Sequence, residues 1–221
     1  MKNLKIGKTR VGLSYPSFIV AELSGNHGGK ISNALKLVRG AYKAGANAIK
    51  LQTYTADTIT LNSRKKDFII PANSPWKKNS SFWELYNKAH TPWIWHKRIF
   101  QEAKKLGMEI FSSPFDESAV DFLEKLNCQA YKIASPEINH LPLIEKIAKT
   151  GKPVIISTGL AEMEEIKTAI DLVRSFGNNK IIILKCTTSY PSELSELNLH
   201  SMRLYIAMYK RPNLTAISCM T

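Results

Sequence analysis

A set of polar residues stands out because each follows or ends an apolar run. Glu22, Asn26 and His27 come after Phe18–Ala21, and Lys50 and Gln52 lie within Ala48–Tyr54. Ser112 and Ser113 sit in Glu109–Phe115, and Lys132, Ser135 and Glu137 in Ala130–Glu137. Ser157 and Thr158 lie in Pro153–Gly159, and Thr188 and Tyr190 close Lys180–Tyr190. Two lysines among several hydroxyls suit a phosphate or carboxylate, because ammonium and O–H groups satisfy anionic oxygens. Glu22 and Glu137 have the chemistry of acid/base groups or of acceptors for sugar hydroxyls. Plainer readings compete at each position taken singly: strand-end serines cap helices, and a lone histidine such as His27 is more often structural than catalytic. A desolvated barrel lysine is also the nucleophile of Schiff-base aldolases, and residue types alone leave that alternative open.

Positioning such groups together requires a repeating strand–helix unit. Phe18–Gly29 begins as a short buried strand and turns polar at its end, and in parallel α/β units the reacting groups lie beyond the carboxyl ends of strands. Ser32 is placed to cap a helix with Ala34, Leu37, Val38, Ala41 and Ala44 on one face, ended by Gly45. In Ala48–Tyr54 the period of two puts Ile49 and Leu51 on one face and Lys50 and Gln52 on the other. An inward lysine there is costly unless an anion meets it. Thr55–His90 breaks the rhythm as a long, aromatic-rich segment with a helical stretch over Phe82–Lys88, and such loops are commonly functional lids. Thr91 and Pro92 read as N-cap and first residue of a helix with Trp93, Ile99, Phe100, Ala103 and Leu106 inward. Later helices are expected with Val120, Phe122, Leu123 and Leu126 inward, from Pro142 to Gly151, and with Ile166, Ala169, Ile170 and Val173 inward. Leu214–Ser218 is a candidate seventh strand. The pattern predicts an α/β fold, a (β/α)8 TIM-type barrel with about six to seven strands present. No glycine-rich dinucleotide fingerprint follows the first strand, which disfavours a doubly wound sheet.

The 221 residues can bury a sizeable core as one domain, and 44% apolar with 22% charged residues is ordinary globular composition. No run reaches the roughly 18 apolar residues of a membrane helix. Three cysteines without metal-like spacing point to reduced thiols and a cytoplasmic setting. The net charge of +13 fits a lysine-rich surface or the steering of a small anion toward a positive cleft. Without an arginine-rich helix, an RNP-like pattern or zinc-finger spacing, no nucleic-acid partner is expected.

Taken together, the motifs resemble the sialic acid synthase family. They are Ala-Glu-Leu-Ser-Gly-Asn-His at Ala21–His27, Lys-Leu-Gln-Thr-Tyr at Lys50–Tyr54, Phe-Ser-Ser-Pro-Phe at Phe111–Phe115, Tyr-Lys-Ile-Ala-Ser at Tyr131–Ser135, Ser-Thr-Gly at Ser157–Gly159 and Lys-Cys-Thr at Lys185–Thr187 with Tyr190-Pro191. Leu61-Asn62-Ser63, Phe68-Ile69-Ile70, Glu84-Leu85-Tyr86, Thr91-Pro92 and Trp95-His96 point to its pseudaminic acid branch. The resemblance implies condensation of phosphoenolpyruvate with an open-chain 2,4-diacetamido-2,4,6-trideoxy hexose and water, releasing phosphate and a nine-carbon 2-keto acid. N-acetylneuraminate and legionaminate synthesis are the neighbouring alternatives. Carried over by position, Lys50, Ser113, Lys132, Ser135, Ser157 and Thr188 hold phosphate and carboxylate, with an asparagine of the sialic branch replaced by Thr188. Gln52, Glu137 and Tyr190 face the sugar, and Glu22 and Lys132 are the catalytic candidates.

The resemblance also implies a divalent metal (manganese, cobalt or magnesium) and a domain-swapped homodimer. The family's metal histidines lie in Ser-Asp-His-Thr and Glu-Lys-His-Phe motifs. Ser218-Cys219-Met220-Thr221 puts methionine at the first histidine's place, and a thioether is a poor ligand for a hard ion. The expectation is therefore that residues 1–221 are the N-terminal part of the synthase barrel, truncated, without metal ligands or the C-terminal antifreeze-like domain. Such a chain is expected to be inactive by itself, at most binding small anions.

Overall fold

The computed structural model describes residues 4–12, 14–78, 80–187, 193–208 and 214–219, and the chain divides into two compact units, Ile19–Asn127 and Met1–Phe18 with Cys128–Thr221. In the second unit, β1 (Leu4–Ile6) and β2 (Thr9–Val11) form an antiparallel hairpin with Leu4 opposite Val11. Its inward residues Leu4, Ile6 and Val11 are buried. Three-residue strands carry too little alternation to be legible in sequence, and this hairpin was not expected.

The unit Ile19–Asn127 holds β3 (Val20–Glu22), α1 (Ile31–Lys43), β4 (Ala48–Thr53), α2 (Ala56–Ile59), α3 (Phe82–Ala89), α4 (Trp93–Lys105), β5 (Glu109–Pro114) and α5 (Glu117–Lys125). Its strands pair in parallel and in chain order, with Glu22 beside Lys50, Lys50 beside Phe111 and Gln52 beside Ser113. Helix α4 packs on β4, β5 and α1. The core here is Val38, Ile49, Leu51, Ile99, Ile110 and Leu123, all fully buried. Each such side chain contributes roughly 1.5–3 kcal/mol by leaving water.

Three sequence expectations need correction in this unit. The N-cap of α1 is Lys30, not Ser32, and its buried stripe runs through Ala34, Leu35 and Val38 while Leu37 is exposed. The N-cap of α4 is Pro92, whose extended backbone leads into Trp93, and Thr91 is instead buried in a contact described below. The β3 strand starts and ends later than Phe18–Ala21, so that Glu22 is its last residue.

After the hairpin, the second unit continues with β6 (Tyr131–Ile133), α6 (Leu141–Lys149), β7 (Val154–Ser157), α7 (Met163–Ser175), β8 (Ile181–Cys186), α8 (Ser201–Met208) and β9 (Leu214–Cys219). The register places Lys132 beside Ile155, Ser157 beside Leu184 and Cys186 beside Cys219, all in parallel. The seventh strand expected at Leu214–Ser218 is β9. Helices α6 and α7 pack together, and the expected stripe Ile166, Ala169, Ile170 and Val173 is wholly buried. The strand expected over Ala130–Glu137 stops at Ile133, and Ser135–Asn139 is a 3-10 turn carrying Glu137. Pro136 within that stretch cannot donate to a ladder, which is why the strand gives way to a turn.

Candidate functional site

In the unit Ile19–Asn127 the pleat sorts polar groups onto two faces. Glu22, Lys50, Gln52 and Ser113 share one, by the cross-strand register and the alternation along each strand. Lys50 is buried, and its ammonium forms an ion pair with Glu22 Oε2. The other carboxylate oxygen, Oε1, accepts the backbone N–H of Ser24 at 3.1 Å. The anion that an inward lysine demands is thus Glu22, one strand away. Two residues along, Ser113 Oγ is buried and has no hydrogen-bond partner. A buried hydroxyl without a partner is unusual, and a ligand oxygen would satisfy it.

Ser112 and His27, grouped with these residues in the sequence, turn away from them. Ser112 donates to Thr53 Oγ1 at 2.7 Å, and Thr53 donates to His96 Nε2 at 3.0 Å. The Nδ1 of His96 lies 3.3 Å from the carbonyl of Pro92, so the proton sits on Nδ1 and Nε2 accepts. Thr53, His96 and Ser112 are fully buried, and this chain ties β4 and β5 to α4. Burial holds the His96 imidazole down to about 4, so it is neutral at physiological pH. Sequence reasoning missed this network; the available signal was a histidine falling on the apolar stripe of α4.

His27 is likewise structural. Its Nδ1 accepts Gly29 N–H at 3.1 Å, its Nε2 faces Thr91 Oγ1 at 3.3 Å, and Trp95 meets the ring edge-on. Burial, with the nearby His90 second, lowers its pKa. Gly25 in the same turn lies so close to the C-terminal end of α3 that an added Cβ would sit 2.7 Å from the carbonyl oxygen of Ala89. Ser24 takes the left-handed conformation, φ 44°, to make the turn.

In the second unit, Lys132 and Ser157 share a face by register, opposite the fully buried Tyr131, Ile133, Val154 and Ile156. Ser157 Oγ is buried without a hydrogen-bond partner, as is Glu137 Oε2. Burial raises the Glu137 pKa, opposed by its own backbone N–H and by the charge of Lys132. Ser135 Oγ accepts Gly159 N–H at 3.0 Å, joining the turns that follow β6 and β7 and leaving its own proton to donate. Thr158 is used internally, its hydroxyl donating to Leu184 O at 2.9 Å. Thr188 and Tyr190 lie outside the described residues.

Comparisons with known proteins identify the family. The NeuB family model matches residues 37–213. The chain belongs to the NeuB family. Within it, the chain is 48% identical over 187 residues to the pseudaminic acid synthase of Helicobacter pylori, covering 85% of this chain and 54% of that protein. It spans about half the length of the curated relatives it matches. Among solved structures, the spore coat polysaccharide biosynthesis protein SpsE of Bacillus subtilis superposes with a TM-score of 0.80 at 30% identity, over 97% of this chain and 56% of that one. The N-acetylneuraminic acid synthetase of Leptospira borgpetersenii gives 0.82 at 24% identity, over 99% and 78%. The fold class is therefore α/β of the TIM-barrel type found in sialic acid synthases. Among the described residues no three His, Cys, Asp or Glu side chains come together as a group that could hold a metal ion. No described helix is long and apolar enough to cross a membrane.

Proposed function

We propose that the chain handles phosphoenolpyruvate for pseudaminic acid synthesis. The observation that carries this reading is the pair of buried hydroxyls without partners, Ser113 and Ser157, each at the carboxyl end of a strand that shares its unit with a buried lysine. Lys50, Ser113, Lys132, Ser135, Ser157 and Thr188 supply donors to phosphate and carboxylate. Gln52, Glu137 and Tyr190 bind the open-chain 2,4-diacetamido-2,4,6-trideoxy hexose. The methylene carbon of the enolpyruvate attacks the aldehyde carbon, forming the new C–C bond, and the aldehyde oxygen gains a proton. Glu137, whose carboxyl is pushed toward neutrality by burial, is suited to give it. Water adds to the resulting oxocarbenium carbon, and loss of phosphate leaves the 2-keto acid. Glu22 keeps the Lys50 ammonium aligned beside the reacting carbons. A cytoplasmic setting fits three cysteines without metal-like spacing.

The test is release of inorganic phosphate from phosphoenolpyruvate that depends on the trideoxy diacetamido sugar. Faster release with N-acetylmannosamine or a legionaminate precursor would move the assignment to that branch. Phosphoenolpyruvate binding without release would leave an anion-binding protein only, and neither binding nor release would refute the proposal.

A further inference from the structure

We propose that the segment joining β4 to α4 builds an aromatic wall that selects the acceptor sugar by its C6 methyl group. The inference rests on the proposed function and assigns residues that its chemistry does not use. The alternation that aligns Lys50 and Gln52 continues to Tyr54, and the one that aligns Phe111 and Ser113 continues to Phe115. The ladder itself is prolonged by Phe115 N–H donating to Thr53 O at 3.3 Å. One rung beyond Gln52 and Ser113, the rings of Tyr54 and Phe115 meet edge to face at 5.3 Å. Tyr86 of α3 meets Tyr54 at 6.0 Å, and Phe82 stacks on Tyr86 at 6.3 Å. Tyr54 is buried, while Phe82, Tyr86 and Phe115 are only part-buried.

These rings are held in place. Trp83 Nε1 donates to Asp57 Oδ1 at 2.8 Å, fixing α3 to α2. Ser81 caps α3 by accepting Glu84 N–H at 3.2 Å and pairs with Ile69 in an isolated bridge. Gly25 admits the end of α3 against the β3 turn, and Trp93 Nε1 donates to Tyr54 O at 3.2 Å. A ring that cannot retreat leaves apolar surface in water until a ligand covers it. A methyl group covers it without loss. A hydroxyl at the same carbon would lose its water partners and gain none, because ring faces offer no strong acceptor. Burial and the neighbouring Tyr86 push the Tyr54 phenol up to about 12, so no charge disturbs the surface.

One methyl-sized difference in an apolar pocket is worth about 10- to 200-fold in kcat/KM. The experiment compares the 2,4-diacetamido-2,4,6-trideoxy hexose with its 6-hydroxylated counterpart in phosphate release by wild type, Tyr86→Leu and Phe115→Leu. Melting midpoints confirm folding. The expected result is a wild-type preference of at least about 10-fold for the trideoxy sugar. That preference should fall several-fold in both variants, while KM for phosphoenolpyruvate is unchanged. Turnover with an unaltered preference in both variants would overturn the wall and leave the proposed function standing. If the wild type binds phosphoenolpyruvate but releases no phosphate, saturation-transfer NMR of the trideoxy sugar decides the wall separately. Transfer to the C6 methyl that is lost in Tyr86→Leu supports it, and no transfer to that methyl refutes it.

Discussion

Each unit presents a buried lysine and a glutamate near strand ends, yet the two pairs are built differently. In Ile19–Asn127 the glutamate is spent on the lysine: Glu22 pairs with Lys50 through one oxygen and with Ser24 N–H through the other. In the second unit Glu137 keeps one buried oxygen without a partner, and burial rather than Lys132 dominates its pKa. The difference follows from secondary structure. Glu22 is a strand residue whose register partner is Lys50, so pleating brings the charges together. Glu137 sits on a 3-10 turn four residues past the end of β6, where no register pairs it. A carboxylate with both oxygens occupied holds a charge in place, whereas one left short of partners is ready to bind a ligand or carry a proton.

The largest expected effect comes from breaking the lysines. Lys132→Ala should weaken phosphoenolpyruvate by about 10- to 100-fold or more, the worth of a charge-assisted hydrogen bond of roughly 1.5–3 kcal/mol. Lys50→Ala should lose affinity and stability together, because Glu22 would be left without its counter-charge. Adding Glu22→Gln should recover the stability but not the affinity. If Lys50→Ala keeps the wild-type melting midpoint, the Glu22–Lys50 pair does not hold the strand ends together and the contrast between the pairs is wrong.

Acid should act mainly on the Ile19–Asn127 unit. The folded-state pKa of His96 is depressed, to about 4. Its contribution is therefore present above the unfolded value near 6.5 and is lost as pH falls toward the folded value. The loss amounts to about 3 kcal/mol, and His27 adds in the same direction. Denaturant unfolding from pH 7 to 4 should show this dependence, and His96→Gln should flatten it. Gly25→Ala comes next: a Cβ 2.7 Å from Ala89 O forces the turn away from α3, for a loss of about 1–3 kcal/mol in chemical denaturation. The smallest effect is Glu137→Gln. A carboxyl whose folded pKa is raised contributes less stability as pH rises through its folded value, so the amide should be neutral or slightly stabilising at pH 7. A marked destabilisation there would mean that Glu137 is already paired.

Much of this was legible in the sequence because period two along a strand is a local property. The sharing of one face by Lys50 and Gln52 follows from alternation along a strand, and the buried stripe of α7 follows from the helical period in the same local way. What the sequence did not yield depends on partners distant in the chain. The Glu22–Lys50 pair needs the β3–β4 register, and the Thr53–His96–Ser112 chain needs α4 laid across two strands. Nothing near Ser112 distinguishes a hydroxyl aimed at a helix from one aimed at a ligand. The glycine of the first motif looked like a turn residue, and only its approach to Ala89 explains why no side chain fits.

The most direct test of the central claim, that unpartnered strand-end hydroxyls in both units serve phosphoenolpyruvate, is calorimetric titration of that ligand into wild type, Ser113→Ala and Ser157→Ala, with melting midpoints measured without ligand. Removing an unsatisfied buried hydroxyl should leave the midpoint unchanged or slightly raised, whereas removing a donor to phosphate or carboxylate should cost about 10-fold or more in affinity. Both serine variants are predicted to bind more weakly at undiminished stability. Wild-type affinity in both variants would contradict the claim.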